Sequence, residues 1–170
     1  ICGEAEASIT LIDGEGLEYT VYDCEIKAAT STEATEESPW TYKNGANVCT
    51  GTFYSFKSIL ESKGVDTSKA HGLKVVAIDG FTSGYTEAEI DDLYIYDQGT
   101  VIKNGKLVGD KYTYGMAING SAGNKWANSV ASITVATDHV MFIKNGSCKH
   151  YCSICGEAEA SITLIDGEGL

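Results

Sequence analysis

The sequence predicts an α+β fold that is mostly β, built from mixed and antiparallel sheets with two or three short helices. The composition supports this, because 19 glycines and ten tyrosines accompany a single proline, and such usage favours strands and tight turns. Short runs of β-branched and aromatic residues alternate with Asn-Gly and Asp-Gly dipeptides, which are strong sequence signals for β-hairpins. A length of 170 residues with 43% hydrophobic residues suits one domain with its own core.

The first third of the chain predicts two hairpins. Ile9–Ile12 and Leu17–Tyr22 flank an Asp-Gly dipeptide and form the first of them. Trp40–Asn44 and Val48–Tyr54 flank an Asn-Gly turn and form the second. Between the hairpins, Ala28–Ser38 is small, polar and acidic, which indicates a loop or an exposed sheet edge.

The middle of the chain predicts two short helices around a buried strand. Phe56–Lys63 has apolar residues at helical spacing and is followed by Gly64, a typical helix stop. Leu73–Ile78 is an apolar, β-branched run typical of a central strand. A Thr-x-x-Glu capping box at Thr86 predicts a second helix that ends near Leu93.

The remaining segments predict strands that close the unit. Val101–Val108 is a hairpin candidate, because an Asn-Gly dipeptide lies at its centre. Met116–Ile118, Trp126–Val135 and His139–Lys144 are the last predicted strands, separated or followed by further turn residues.

The two ends of the chain are identical. Ile1–Leu17 recurs letter for letter as Ile154–Leu170, an offset of 153 residues. Solenoid repeats run about 20–50 residues, whereas a unit of this length can bury its own core. We therefore interpret residues 1–153 as one tandem-repeat module and 154–170 as the start of the next. The alternative is that the terminus was duplicated artificially.

The charge of the chain restricts its partners. The formal net charge is −12, and twelve lysines occur with no arginine. Such an acidic chain repels phosphate backbones and anionic membrane surfaces, which argues against nucleic acid. No apolar run approaches the roughly 18 residues of a membrane span, so we expect no membrane insertion of this segment.

Cysteine is the residue type with the most chemical information. Cys2 and Cys155 occupy the same repeat position, so one period holds five cysteines, and an odd number cannot pair completely within a module. Three of them follow a Cys-x-x-x-Cys-x-x-Cys pattern. The five candidate residues are Cys24, Cys49, Cys148, Cys152 and Cys155.

Two interpretations of these cysteines remain open. In the first, they form disulfides in an oxidising compartment, and the spare thiol pairs with a neighbouring module. In the second, Cys148, Cys152 and Cys155 bind an iron–sulfur cluster or zinc, with Cys24 or Cys49 as the fourth ligand. Both interpretations place Cys148, Cys152 and Cys155 at the junction between modules.

A series of motifs lies between Val48 and Val135: Gly51–Val65 (GTFYSFKSILESKGV), Ala77–Phe81 (AIDGF), Tyr85–Ile90, Met116–Gly120 (MAING) and Trp126–Val135. Their order resembles that of the sulfite-oxidase-like molybdopterin-binding domain, in a degenerate bacterial surface-repeat form. The resemblance implies an α+β fold around mixed sheets. Catalytic members of that family hold molybdenum through a cysteine and the pterin phosphate through Arg and His. Here the corresponding stretch, Ala28–Thr32, has no cysteine, so we expect the fold without the cofactor.

The sequence thus leads to one expected function and one alternative. We expect a non-catalytic tandem-repeat module of an extracellular or cell-surface structural protein, a stalk or filament whose partners are neighbouring copies of the module, without a cofactor. The alternative is an electron-transfer repeat that carries a metal centre. A Lys–Asn or Lys–Asp isopeptide crosslink would suit a surface fibre, and no residue spacing in the sequence indicates one.

Overall fold

The computed structural model describes residues 7–68, 70–121, 125–137, 141–143 and 150–152. Within these ranges the first half of the chain forms β1 (Ser8–Ile12), β2 (Glu18–Tyr22), α1 (Asp23–Lys27), β3 (Ser31–Ala34), β4 (Trp40–Tyr42), β5 (Asn47–Ser55) and α2 (Phe56–Ser62). The second half forms β6 (Gly72–Ala77), β7 (Thr82–Thr86), the 3₁₀ helix Glu87–Asp92, β8 (Tyr94–Asp97), β9 (Ile102–Lys103), β10 (Lys106–Leu107), β11 (Tyr114–Ala117), β12 (Val130–Ala136), β13 (Met141–Ile143) and β14 (His150–Cys152). The predicted α+β class, mostly β with mixed and antiparallel sheets and short helices, is confirmed.

The first sheet is mixed and has the strand order β2-β1-β12-β6-β7. β1 pairs antiparallel with β2 on one side and parallel with β12 on the other, where Thr10 lies opposite Ser132. Parallel neighbours need a long crossover connection, and here nearly the whole described chain lies between the two strands. The first strand of the unit is therefore held by one of the last.

The second sheet is organised by β5, the nine-residue strand. Its strand order is β10-β9-β5-β8-β11, and β3 and β4 also pair with β5. Gly51 in β5 has a φ of 141°, and a Cβ there would lie 2.9 Å from Val101 Cγ2. Only glycine allows that backbone shape and that close approach, so this residue lets the loop before β9 cross β5. A third sheet pairs β13 with β14.

The buried side chains form two clusters. The main core lies between the first sheet, α1, α2, β8 and β11, and it includes Leu11, Ile26, Ile59, Leu73 and Ile95. The aromatic core lies against the second sheet and consists of Ala34, Trp40, Tyr42, Cys49, Phe53, Tyr96, Val101, Ala117 and Trp126.

Aromatic rings stack face to face inside the aromatic core. The Trp40 and Phe53 rings are 4.1 Å apart, and the Tyr42 and Trp126 rings are 4.3 Å apart. Tyr96 meets the Phe53 ring edge-on at 5.3 Å. Offset-stacked and edge-to-face pairs add about 0.5–1.5 kcal/mol each beyond area burial, so this core contributes substantially to holding β4, β5 and β8 together.

Most predicted elements are present. The hairpins β1–β2, β4–β5 and β9–β10 form at the three dipeptide turns. α2 ends at Ser62, and Gly64 follows with a φ of 71°. The capping box opens the helix at Glu87, which is 3₁₀ rather than α-helical. β6 is an internal strand, as predicted.

Several boundaries differ from the prediction by one or two residues, and three segments differ for an identifiable physical reason. Ile78 lies beyond the end of β6 and is 73% exposed, because the Asp-Gly pair that follows it turns the chain. Residues Trp126–Ser129 do not join β12, which begins at Val130, since the Ala127 backbone pairs with Met116 of β11 and Ser129 has a φ of 52°. The segment predicted as a loop or exposed edge contains the short strand β3 on the edge of β5.

α1, β7, β8 and β14 are not among the elements predicted from the sequence. α1 has only five residues, about one and a half helical turns, which is too short to show a hydrophobic period. At its start, the Tyr22 backbone N–H donates to Glu25 Oε1. β7 follows an Asp-Gly turn, but its sequence (TSGYT) has one glycine and only one large side chain, so it lacks an apolar run, and β8 has only four residues.

We predict that the capping box at Thr86 stabilises the whole domain. Thr86 Oγ1 accepts from the Glu89 N–H, and Glu89 Oε1 accepts from the Thr86 N–H. Thr86→Ala removes the first bond and should lower the free energy of unfolding by about 1 kcal/mol, measured by urea denaturation. Thr86→Ser keeps the hydroxyl and is the control. Equal losses in both variants would show that the methyl group matters and the cap does not.

Candidate functional site

Of the five cysteines predicted to act together, the structure describes the side chains of Cys24 and Cys49, and they lie on different elements. Cys24 lies in the first turn of α1 and is disulfide-bonded; its bond partner is not among the side chains that the structure describes. Cys49 lies in β5 and is free and buried. Cys148 and Cys155 lie outside the described residues, and Cys152 is the last residue of β14, with its side chain outside the description.

Cys49 is a core residue. It is fully buried in the aromatic core and lies opposite Trp40 on one neighbouring strand and Lys103 on the other. Burial raises the pKa of its thiol to about 11, an effect that the charge of Lys103 offsets only in part. Because metals bind the thiolate, this environment is unfavourable for a ligand.

The metal interpretation is therefore left to the three cysteines near the C-terminal end. Among the described residues, no group of three or more His, Cys, Asp or Glu side chains is placed to hold a metal ion. The proposed iron–sulfur or zinc site on Cys148, Cys152 and Cys155 falls outside that part of the chain and stays a prediction.

The donor set does not fit a molybdopterin. The stretch Ala28–Thr32, which would supply the metal-binding cysteine, runs from the end of α1 into β3 and offers no thiol. The chain also has no arginine, the side chain whose planar fork binds phosphate in two places at once. The residues present therefore provide no basis for chemistry at such a cofactor.

The most unusual polar arrangement in the described structure is a cluster of one partly buried lysine, whose side chain is 28% exposed, and two aspartates. We call Asp23, Lys27 and Asp97 the lysine–aspartate cluster. Lys27 Nζ lies 2.9 Å from Asp23 Oδ1 and 3.3 Å from Asp97 Oδ2. The Asp97 side chain is fully buried and that of Asp23 is 11% exposed. Tyr114 donates its hydroxyl proton to Asp23 Oδ1 at 2.6 Å.

The second oxygen of Asp97 is held by the backbone. Its Oδ1 accepts from the N–H groups of Gly99 and Tyr112, each at 3.0 Å. Tyr112 has a φ of 63°, which is rare for an aromatic residue and costs conformational energy. A Cβ at Gly99 would lie 2.3 Å from Lys111 Cα. Two loops are thus shaped to bring two donors to one carboxylate oxygen.

The electrostatics of the cluster favour a charged lysine. Burial alone would lower the pKa of Lys27, but the hydrogen bonds and charges of Asp23 and Asp97 outweigh it and raise the pKa above its usual value. Burial also raises the pKa of the neighbouring Tyr54 hydroxyl, with Lys27 opposing the change and the two aspartates adding to it. The cluster carries two negative charges against one positive charge.

An open groove of about 580 Å³ lies beside the β1–β2 turn, lined by Asp13, Gly14, Glu15, Gly64, Asp66 and Thr137. The Asp13 carboxylate is already used within its own turn, since Oδ1 accepts from the Glu15 and Leu17 N–H groups and Oδ2 from the Tyr19 hydroxyl. These bonds, led by that of Leu17 and opposed by partial desolvation, lower the pKa of Asp13. The groove is acidic and would repel anions.

No protein family and no curated protein matches the sequence. Of the helices in the described residues, none has the length and apolar character needed to cross a membrane.

The sequence analysis missed the lysine–aspartate cluster. Asp23 and Lys27 are four residues apart, a spacing that brings side chains together on a helix, but this signal needs α1 to be recognised first. Asp97 is 70 residues from Lys27, and only the tertiary fold brings it near. The donors Gly99 and Tyr112 leave no local pattern.

We predict that Cys49 is protected from alkylation in the folded protein. Its thiol has no exposed surface and a pKa of about 11, so iodoacetamide at neutral pH should label it only after denaturation. Peptide mapping by mass spectrometry measures the labelled fraction, and Cys49→Ala is the control for peptide assignment. Rapid labelling of Cys49 in native buffer would contradict the buried placement.

Proposed function

We propose that residues 1–153 form a non-catalytic tandem-repeat module of an extracellular or cell-surface structural protein, a stalk or filament. Neighbouring copies would meet at a joint that contains cysteines. The observation that carries this proposal is the recurrence of Ile1–Leu17 as Ile154–Leu170. Functions that improve with the number of copies, such as extension or spacing, account for an identical repeat better than catalysis at a single reactive centre does.

The role of β1 supports the proposal. β1 lies inside the repeated stretch, and its Ile9 and Leu11 side chains are 2% and 0% exposed in the main core. It also fills the position between β2 and β12. The recurring segment therefore carries a strand that a module needs for its own core, and the copy at Ser161–Ile165 would supply that strand to the next module.

Charge and composition fit such a chain of modules. The repeated segment contributes four acidic residues and no lysine, and the whole chain is strongly acidic at −12. Like charges keep neighbouring modules apart and in solution. This repulsion favours an extended arrangement over lateral collapse.

We further propose that the fold is that of the sulfite-oxidase-like domain without its cofactor. The order of the quoted motifs supports this, together with the helix α2 that precedes an internal strand and a turn. The donor set argues for loss of the cofactor site, since no arginine occurs.

We predict that the two copies of the repeated strand differ in their effect on this module. Leu11→Ala leaves a cavity in the main core and should lower the free energy of unfolding by about 2–5 kcal/mol. Leu164→Ala is the identical substitution in the second copy and is the matched control. Because we assign that copy to the next module, Leu164→Ala should leave the midpoint of urea unfolding unchanged. A large loss from Leu164→Ala would contradict the assignment.

We predict that reduction of the cysteines destabilises the protein. Cys24 is disulfide-bonded, and removing a native disulfide typically costs about 2–5 kcal/mol, so a strong reductant should lower the melting temperature. A chelator alone should have no effect. An unchanged melting curve under both treatments would contradict the cysteine joint.

The electron-transfer alternative is tested by the same sample. Stoichiometric iron or zinc, and a melting temperature that falls with the chelator, would favour a metal centre on Cys148, Cys152 and Cys155. Nothing in the described residues specifically supports that alternative, and we do not advance it as the function.

A further inference from the structure

We propose that Lys27 and Asp97 form an intramolecular isopeptide bond, with Asp23 as the group that moves the protons. The bond would join Lys27 Nζ to Asp97 Cγ and tie α1 to the end of β8. This inference rests on the lysine–aspartate cluster and does not depend on the tandem repeat.

The reacting groups are already in contact. Lys27 Nζ lies 3.3 Å from Asp97 Oδ2, which puts the nitrogen next to the carboxyl carbon that it would attack. Asp97 is fully buried, so bulk water has little access to hydrolyse the amide once it has formed. Effective concentrations for well-oriented groups of this kind reach the order of 10⁵–10⁸ M, which favours an amide that would not form in dilute solution.

Asp23 is placed to act as the proton acceptor and donor. Its Oδ1 accepts from Lys27 Nζ at 2.9 Å and from the Tyr114 hydroxyl at 2.6 Å. Lysine attacks only as the neutral amine. Since the surrounding carboxylates keep the ammonium protonated, the proton must be taken within the cluster, and Asp23 is the carboxylate that contacts Nζ and is not itself attacked.

The backbone donors on Asp97 complete the arrangement. Attack on Cγ turns the carboxyl group into a tetrahedral intermediate whose negative charge develops on Oδ1. The Gly99 and Tyr112 N–H groups both point at Oδ1, at 3.0 Å, and fixed donors of this kind stabilise such an oxyanion. The strained φ of Tyr112 and the crowding at Gly99 show that the loops hold these donors in place.

The step balances without another reactant. The Lys27 ammonium loses two protons, one of them by way of Asp23, and both leave on Oδ2 as water. The Nζ–Cγ bond forms as the Cγ–Oδ2 bond breaks, Asp23 returns to its starting state, and the product is a neutral amide. The charges of the ammonium and the carboxylate disappear together, which relieves the cost of keeping them out of water.

A plain ion pair is the competing explanation, and mass separates the two. The intact full chain, reduced and alkylated so that disulfides do not contribute, should weigh less than its sequence by one water. Trypsin should fail to cleave after Lys27, and fragmentation should identify a branched peptide that contains Lys27 and Asp97. A full sequence mass with normal cleavage at Lys27 would overturn the proposal.

The Lys27→Arg variant shows whether the lysine amine forms the bond. Lys27→Arg keeps the positive charge and its donors to both aspartates but has no nucleophilic amine, so the full sequence mass should return. A water loss that persists in Lys27→Arg would arise from cyclisation at an aspartate and would also overturn the proposal. Circular dichroism confirms that the variant is folded.

Asp23→Asn tests the proton transfer. Loss of a general acid–base group typically slows a reaction about 10²–10⁴-fold, so freshly purified Asp23→Asn protein should be mostly unlinked and should gain the branched peptide slowly during incubation. Complete linkage in this variant at the first time point would show that Asp23 has no part in the reaction.

Discussion

The parallel pairing of β1 with β12 is the constraint on which the rest of the fold depends. It joins a strand from the beginning of the unit to one near its end, and β12 in turn pairs with β6. Ile9 and Leu11 on β1 face the main core that α1 and α2 cover. Without β1, the sheet would lose its link to β2, and the main core would lie open along one side. The recurrence of a segment that contains β1 is therefore the recurrence of a strand that the fold of the domain needs.

The two cores stabilise different sheets. The main core is mostly aliphatic, with Phe56, Tyr85 and Tyr114 among its members, and is covered by the first sheet and the helices, whereas the aromatic core holds the second sheet around β5. The lysine–aspartate cluster connects α1, which packs in the main core, with the second sheet. Asp23 and Lys27 belong to α1, and Asp97 is the last residue of β8. A bond at this point connects elements that otherwise contact each other mainly through packing.

Much of the fold could be predicted because its signals are local. Asn104 and Gly105 define a hairpin by themselves, and Thr86 with Glu89 define a helix start, whatever the rest of the chain does. The missed elements lack such signals. α1 is too short to show a period, and the strand boundary before Val130 depends on the pairing of the Ala127 backbone with Met116, which is distant in sequence.

The candidate site was less predictable, for a physical reason. Cysteine spacing directs attention to possible ligands, but it does not reveal that Cys49 is enclosed by aromatic rings. Conversely, Lys27 and Asp97 are ordinary surface residue types in the sequence, and only the fold buries Asp97 and brings Lys27 against it. The donors on Asp97 are backbone groups, which have no sequence signature at all.

The placement of the tryptophans has a further consequence. Both tryptophans of the chain, Trp40 and Trp126, belong to the aromatic core, and neither belongs to the main core. Selectively excited tryptophan emission therefore reports on the part of the molecule around β5, because the main core contains tyrosines but no tryptophan. Any state in which one half loosens before the other would separate the emission signal from the far-ultraviolet backbone signal, so this molecule carries a built-in probe for the order in which its halves come apart.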